Sequence, residues 1–337
     1  MPFEDYWYVV AESRELTANR VLARRVLDER LACFRGADGR PAILRDRCVH
    51  RNAPLSEGIV RRGLLSCPYH GWTYDGGGRV VHIPAMAEDG PQAHCSPPYP
   101  FVEQDGFVYV RLRRDAPADI RPFPMPHYGE PGWTNLRLQN RFANSVANCV
   151  ENFIDIPHTA FVHRGIFRST RGERLAATVA RADGAVHVAY RNERGNLGTY
   201  RWFLNPGGHE IRHTDSFHAP NVTSVIYEIG AKTFIITSQA VPVDDRETLV
   251  YTDLTYRFGA WNALAAPFVR RHGQRIIDQD IEILARQGEN IARYGAEFRD
   301  TPADLIHRMV DSIREAIARG EDPRALPKVV QEIEFRV

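Results

Sequence analysis

Long apolar runs are missing from this sequence. No stretch approaches the roughly 18 apolar residues of a transmembrane helix, so no membrane span is expected. Excess charge of either sign is missing too. The 43 basic and 42 acidic residues leave a net charge of +1, which gives a polyanion such as nucleic acid no electrostatic purchase. Lysine is nearly absent, with only Lys232 and Lys328; a coding preference for arginine explains this as well as any function does. Cysteine is scarce and odd in number, five in all, and two of the five fall in one four-residue cluster. That pattern speaks against a disulfide framework and for metal-ligating thiols in a reducing, cytoplasmic setting. The opening residues, MPFEDYWYVVAESREL, are acidic and alternating rather than basic and then apolar, so no signal peptide is expected. A dinucleotide fingerprint is also lacking, because GADGR and DGGGR read as hairpin turns and not as G-x-G-x-x-G after a strand.

What is present is a globular composition, 43% hydrophobic over 337 residues, enough for about two domains. Residues 6–112 read as short strands (WYVVA, RLACFRG, PAILRD, GFVYVRL) separated by Gly/Asp/Pro turns. A proline-rich stretch over 113–133 marks a domain boundary. The expected division is an all-β domain over 1–115, a linker over 116–133 and a second domain over 134–337. In the second domain residues 141–163 are helical in character and 175–258 return to strands. Helical periodicity resumes over 262–296 and 302–319. The fold class expected is α+β.

The first chemical signal is Cys48, His50, Cys67 and His70, spaced C-x-H-x16-C-x2-H. Coincidence is a poor account of four scarce residues in two tight pairs. Structural zinc also takes Cys2His2 sets, but a zinc finger puts both cysteines before both histidines. The mixed order suits a binuclear [2Fe–2S] cluster, with two thiolates on one iron and two imidazoles on the other. Neutral imidazoles reduce the negative charge and raise the potential, which makes an electron relay. Pro68 and Gly71 shape a tight loop that brings backbone N–H groups to the sulfurs, while Trp72 and Tyr74 shield the site.

The second signal is NCVENFIDIPHTAFVH, residues 148–163. On a helical wheel Asn148, Glu151, Asn152, Asp155 and His158 share one face, opposite Val146, Val150 and Phe153. A solvated face is the ordinary reading of such a stripe. Residues 142–163 contain no Lys or Arg, however, which points to a buried polar site. Pro157 disfavours helical geometry at Ile156 and breaks the helix there, so that His158 and His163 converge. Two histidines and a carboxylate make the facial triad of non-heme Fe(II) oxygenases. Several carboxylates are candidates for the third ligand. Asp280 stands out in RIIDQDIEIL because it lies mid-stripe among Ile276, Ile277, Ile283, Leu284 and Ile291, where an unpaired charge is costly and a metal offsets the cost. Asp278 and Glu282 fall on the opposite face, Glu282 pairing with Arg286.

With both signals in this order, the chain resembles the terminal oxygenase subunit of Rieske non-heme iron oxygenases. The pattern E/D-x3-D-x2-H-x4-H matches Glu151, Asp155, His158 and His163, with the last ligand at Asp280. The resemblance implies a Rieske domain followed by a helix-grip catalytic domain, carrying a [2Fe–2S] cluster and a mononuclear Fe(II) that uses O2. It also implies a head-to-tail homotrimer in which His70 of one chain bonds Asp155 of the next. Asp155 bonds His158 in turn and so takes a catalytic, coupling role; capping its own helix is its plain structural alternative. The length is similar to the short, α-only class of vanillate O-demethylase and dicamba monooxygenase, whose members hydroxylate or remove O- or N-methyl groups. A separate NAD(P)H-oxidising reductase, with or without a ferredoxin, is then required.

Three alternatives stand beside this reading: a hydroxylase of a nitrogen-rich natural product, a Rieske electron carrier, and a zinc-stabilised binding protein. The 200 residues after the linker are more than a carrier needs. The strands over 185–257 are expected to line a cavity for a small, aromatic substrate. The run GGHEIRHTDSFH, with His209, Arg212, His213 and His218, reads as a solvated sheet rim, an anion site being the lesser reading.

Overall fold

The computed structural model describes residues 1–86, 94–163, 174–191, 205 and 207–336. The chain divides into two compact units, Glu4–Pro124 and Met125–Val337, and Met1–Phe3 go with the second. The Met1 ammonium donates to the carbonyl of Glu321 at 2.9 Å.

The first unit is built from ten short strands. They are β1 (Tyr8–Glu12), β2 (Leu22–Val26), β3 (Glu29–Arg35), β4 (Pro41–Arg45), β5 (Ile59–Arg61), β6 (Leu64–Ser66), β7 (Thr73–Tyr74), β8 (Val80–His82), β9 (Phe101–Gln104) and β10 (Phe107–Val110). They form three sheets ordered β1-β10-β9, β2-β3-β4 and β5-β6-β7-β8. Asp105 and Gly106, both at positive φ, make the two-residue turn that joins β9 to β10. The core that matters for function gathers Phe34, Leu44, Leu55, Leu65 and Tyr74 around Cys48 and Cys67. Both cysteines are thus core residues, held where the loops after β4 and β6 meet.

Residues 111–133 carry no helix or strand. The second unit holds one antiparallel sheet of eight strands, ordered β11-β17-β16-β15-β14-β13-β12-β18. These are β11 (Thr134–Phe142), β12 (Arg174–Ala182), β13 (Ala185–Arg191), β14 (Ile211–His218), β15 (Val222–Ile229), β16 (Lys232–Pro242), β17 (Thr248–Arg257) and β18 (Val329–Arg336). Among the described residues three helices accompany it: α1 (Val146–Ile154), α2 (Asn262–Tyr294) and α3 (Leu305–Ala318). α1 packs on β15, β16 and α3, whereas α2 packs on β11 and β17. The α+β class expected from the sequence holds.

Two local expectations are corrected. The helix read over 141–163 starts later, because residues up to Phe142 complete β11 by pairing with β17, from Thr134↔Tyr256 to Phe142↔Thr248. Ser145 then caps α1, its side chain accepting from the N–H of Asn148. The break before Pro157 also falls one residue early. Asp155 is the extended residue (φ −83°, ψ 122°), while Ile156 keeps helical angles. A short 3-10 turn, Pro157–Ala160, follows.

Candidate active site

The two cysteine–histidine loops are closed by their own backbones. The N–H of Cys48 donates to Ala53 O at 2.8 Å, and the N–H of Asn52 donates to Cys48 O at 2.9 Å. In the second loop Cys67 N–H donates to Trp72 O at 2.8 Å and Gly71 N–H to Cys67 O at 3.1 Å. Gly71 sits at φ +73°, and a Cβ there would come within 2.8 Å of Pro84 Cγ, so both conformation and space require glycine.

The thiols face inward and the imidazoles outward. Cys48 and Cys67 are 1% and 4% exposed, His50 is half-buried and His70 exposed. The two imidazole rings lie 4.6 Å apart, and His50 stacks on Trp72. The Tyr74 hydroxyl accepts from Val49 N–H at 3.0 Å, which leaves its own proton for Cys48 Sγ at 3.2 Å. Burial pushes the Cys67 thiol up; backbone N–H groups of Tyr69 and His70 oppose this, and the neighbouring Cys48 adds to it. The His50 pKa is lowered by desolvation and then by His70 and Arg51, and its buried Nδ1 has no hydrogen-bond partner. Two soft donors pointing in and two imidazoles without an assigned proton partner fit a cluster that takes thiolates on one iron and imidazoles on the other. Tyr74 does more than shield, since its hydroxyl hydrogen-bonds Cys48 Sγ directly.

In the second unit α1 ends at Asp155, whose Oδ2 accepts from the N–H of His158 at 2.9 Å and lies 3.1 Å from His158 Nδ1. The carboxylate therefore caps the 3-10 turn and orients the ring together. His163, 2% exposed, has its Nδ1 3.0 Å from Gln279 Oε1. With each Nδ1 beside an oxygen acceptor, the Nε2 atoms are the ones the two rings present to Asp280. They face the same oxygen: Asp280 Oδ1 lies 3.2 Å from His163 Nε2 and 3.6 Å from His158 Nε2, without a hydrogen bond of its own. One donor atom from each of the three residues lies within 4.8 Å of the others. Burial alone would lower the His163 pKa; Asp280, helped by Gln279, outweighs it and raises it. Two imidazole nitrogens and one carboxylate oxygen converging in this way form a donor set that suits Fe(II).

Asp280 is brought there by α2, on which only Ala265, Asp280 and Leu284 are fully buried. The apolar stripe is less complete than its periodicity suggests, with Ile283 43% exposed. Asp278 and Glu282 are exposed, and Glu282 pairs with Arg286 as expected. α2 comes close to the end of β11: a Cβ on Gly288 would lie 2.5 Å from Ala143 O, and Asn144 donates to Leu284 O at 2.8 Å.

The three residues open onto a cavity of about 250 Å³ lined by Phe142, Phe153, Tyr227, Phe234, Phe258 and Phe268 among others. Here the rim reading of 209–218 is overturned. His213 is 1% exposed and lines the cavity, stacked between Tyr190 at 4.5 Å and Tyr227 at 4.2 Å. Its Nε2 lies 2.9 Å from Asp215 Oδ1, and Tyr190 donates to Asp215 Oδ2 at 2.9 Å. β14 alternates, and its buried set is Ile211, His213, Asp215 and Phe217. Arg212 is exposed and 3.6 Å from Glu228, His218 is half-buried beside Ser216, and His209 is exposed. The sequence reading passed over Gln279 and His307, neither of which carries a spacing signal.

Among the described residues no helix is long and apolar enough to cross a membrane. Residues 6–103 match the Rieske [2Fe-2S] domain family, and residues 143–317 match the vanillate O-demethylase oxygenase C-terminal domain family. The dicamba O-demethylase oxygenase component of Stenotrophomonas maltophilia is 36% identical over 185 residues, 54% of this chain and 54% of that protein. The chain thus spans about half the length of the curated relatives it matches. Dicamba monooxygenase bound to 3,6-dichlorosalicylic acid has the same fold, with a TM-score of 0.81 at 23% identity over 94% of this chain and 98% of that one. NdmA of Pseudomonas putida CBB5 with caffeine gives 0.79 at 20% identity over 97% and 96%. The second match alone takes in more than half of the chain, which therefore belongs to the vanillate O-demethylase oxygenase family, with a Rieske [2Fe-2S] domain ahead of the catalytic one.

Proposed function

We propose that the chain is a terminal oxygenase component that hydroxylates, or strips an O- or N-methyl group from, a small aromatic substrate. Electrons come from NAD(P)H through a separate reductase, with or without a ferredoxin. Cys48, His50, Cys67 and His70 would hold the cluster that accepts them, and His158, His163 and Asp280 would hold a ferrous ion. Assembly as a head-to-tail homotrimer is part of the proposal. The observation that carries it is the convergence of His158, His163 and Asp280 at the cavity wall, one donor atom from each lying within 4.8 Å of the others. Iron, when bound there, supplies O2 activation.

The chain's own residues do the rest. Asp155 and Gln279, each beside Nδ1 of one histidine, orient the two rings toward Asp280. The aromatic wall takes a planar ring and keeps water from it. His213 and Asp215, already paired within that wall, offer the polar contact that orients a substituent. The test is metal and sulfide content of anaerobically purified protein together with substrate-dependent O2 uptake in the presence of a reductase. The expected content is about three irons and two sulfides per chain. Zinc without sulfide, or full iron loading with no O2 uptake across a panel of aromatic acids and ethers, would refute the proposal.

A further inference from the structure

Residues 142–163 supply no basic side chain except His158 and His163, yet α1 presents Glu151 and Asp155 on its polar face. The side chain they face comes from 152 residues further along the chain than Asp155, on α3. His307 Nδ1 lies 3.4 Å from Glu151 Oε1 and its Nε2 lies 3.6 Å from Asp155 Oδ1. Asp304 is 4.0 Å from Nδ1. The His307 side chain is 13% exposed and that of Asp155 17%.

Asp155 is thereby gripped from two sides. Its Oδ2 holds the backbone and ring of His158, and its Oδ1 faces His307. We propose that His307 is a positioning residue, holding Asp155 against His158 so that His158 Nε2 stays turned toward Asp280. The proposal rests on the reading of His158 as an iron ligand. The surroundings agree with it. The groups packed about His307 are Glu151, Asp155, Asp304 and Asp311, all acidic. Burial raises the carboxyl of Glu151, the other three carboxylates add to this, and His307 opposes them. Burial likewise raises Asp311 against His307 and Arg314. Without His307, Asp155 Oδ1 would lose the imidazole that stands between it and Glu151, and its hold on His158 would loosen.

The test uses the full chain with its cluster in place and its mononuclear ion removed, titrated calorimetrically with cobalt(II). His307→Phe should weaken cobalt binding about tenfold, the low end of the loss seen when a group behind a metal-binding histidine is removed. At saturating ferrous ion kcat should fall with KM unchanged, and His307→Gln, which keeps a donor, should recover part of both losses. The deciding measurement is the same substitution in an Asp155→Asn background. If His307 acts through Asp155, its effect there disappears; if the tenfold loss persists, the two are independent and the proposal is overturned. Wild-type binding by His307→Phe overturns it as well. Should His307→Phe fail to fold, the cycle is read with His307→Gln. Failure of the wild type itself to bind cobalt would instead strike the iron-site reading, and this proposal with it.

Discussion

Asp155→Asn separates what the carboxylate does by shape from what it does by charge. Asparagine is nearly isosteric, so its Oδ1 can still accept from the His158 N–H that Asp155 Oδ2 now holds at 2.9 Å. What is lost is the negative charge facing His158 Nδ1 at 3.1 Å. A hydrogen bond to a charged group contributes about 1.5–3 kcal/mol and a neutral one about 1 kcal/mol, so the exchange costs about 1–2 kcal/mol. At about 1.4 kcal/mol per factor of ten, that is roughly a tenfold weaker ferrous site. Excess ferrous ion should refill it, and the cluster, whose four ligands are elsewhere in the chain, should be retained. Turnover at saturating iron then isolates any further role. If Asp155 only orients His158, rates recover to within about tenfold of wild type once iron is added back. If it also links the cluster to the iron, turnover should fall about a hundredfold or more with both metals in place. The assay is iron and sulfide content followed by single-turnover product formation from prereduced protein. Wild-type turnover at wild-type ferrous affinity would refute both roles.

Removing the Tyr74 hydroxyl takes a hydrogen bond from Cys48 Sγ. Tyr74→Phe should lower the cluster potential by roughly 40 mV, the one-electron equivalent of about 1 kcal/mol, measured by redox titration of the cluster spectrum. Burial, with His187 nearby, lowers the His218 pKa from 6.5 to about 4. The unfolded chain therefore takes up this proton first as pH falls, and the stability tied to neutral His218 is present above its ordinary pKa and lost on acidification through the folded one. Between those limits stability should change by up to about 3 kcal/mol. Urea melts of His218→Gln across that window should be flatter than wild type, and an unchanged slope would rule His218 out as the source. Gly288→Ala places a methyl against Ala143 O. It should cost about 1–3 kcal/mol and several degrees of Tm, and it should weaken ferrous binding, because the contact sets where α2 carries Asp280.

The candidate ligands stand out in the sequence because cysteine and histidine are rare and the chemistry proposed for them imposes their spacing. Cys48, His50, Cys67 and His70 need two tight loops, and those loops are local in sequence. Asp280 was legible for a different reason, since a carboxylate on an apolar stripe is costly unless something compensates it. Its neighbour Gln279 gave no such signal: an amide on a half-buried helix position is unremarkable until the chain is folded and His163 lies 3.0 Å away. β14 shows where periodicity stops helping. Strict alternation in IRHTDSFH defines two faces, and each holds charged or polar residues, so composition favoured neither. The buried face carries His213 and Asp215 because each offsets the other's desolvation and Tyr190 satisfies the remaining oxygen. That compensation comes from β13, 25 residues before Asp215. His307 extends the same argument across two helices. A lysine-free, arginine-free face on α1 announced that its carboxylates would meet something other than water. The partner was a histidine on α3, and only the packing of α1 on α3 identifies it. Periodicity thus assigns residues to faces, while the identity of what covers a face is a property of the tertiary contacts, and the chemistry around the iron ligands depends on both.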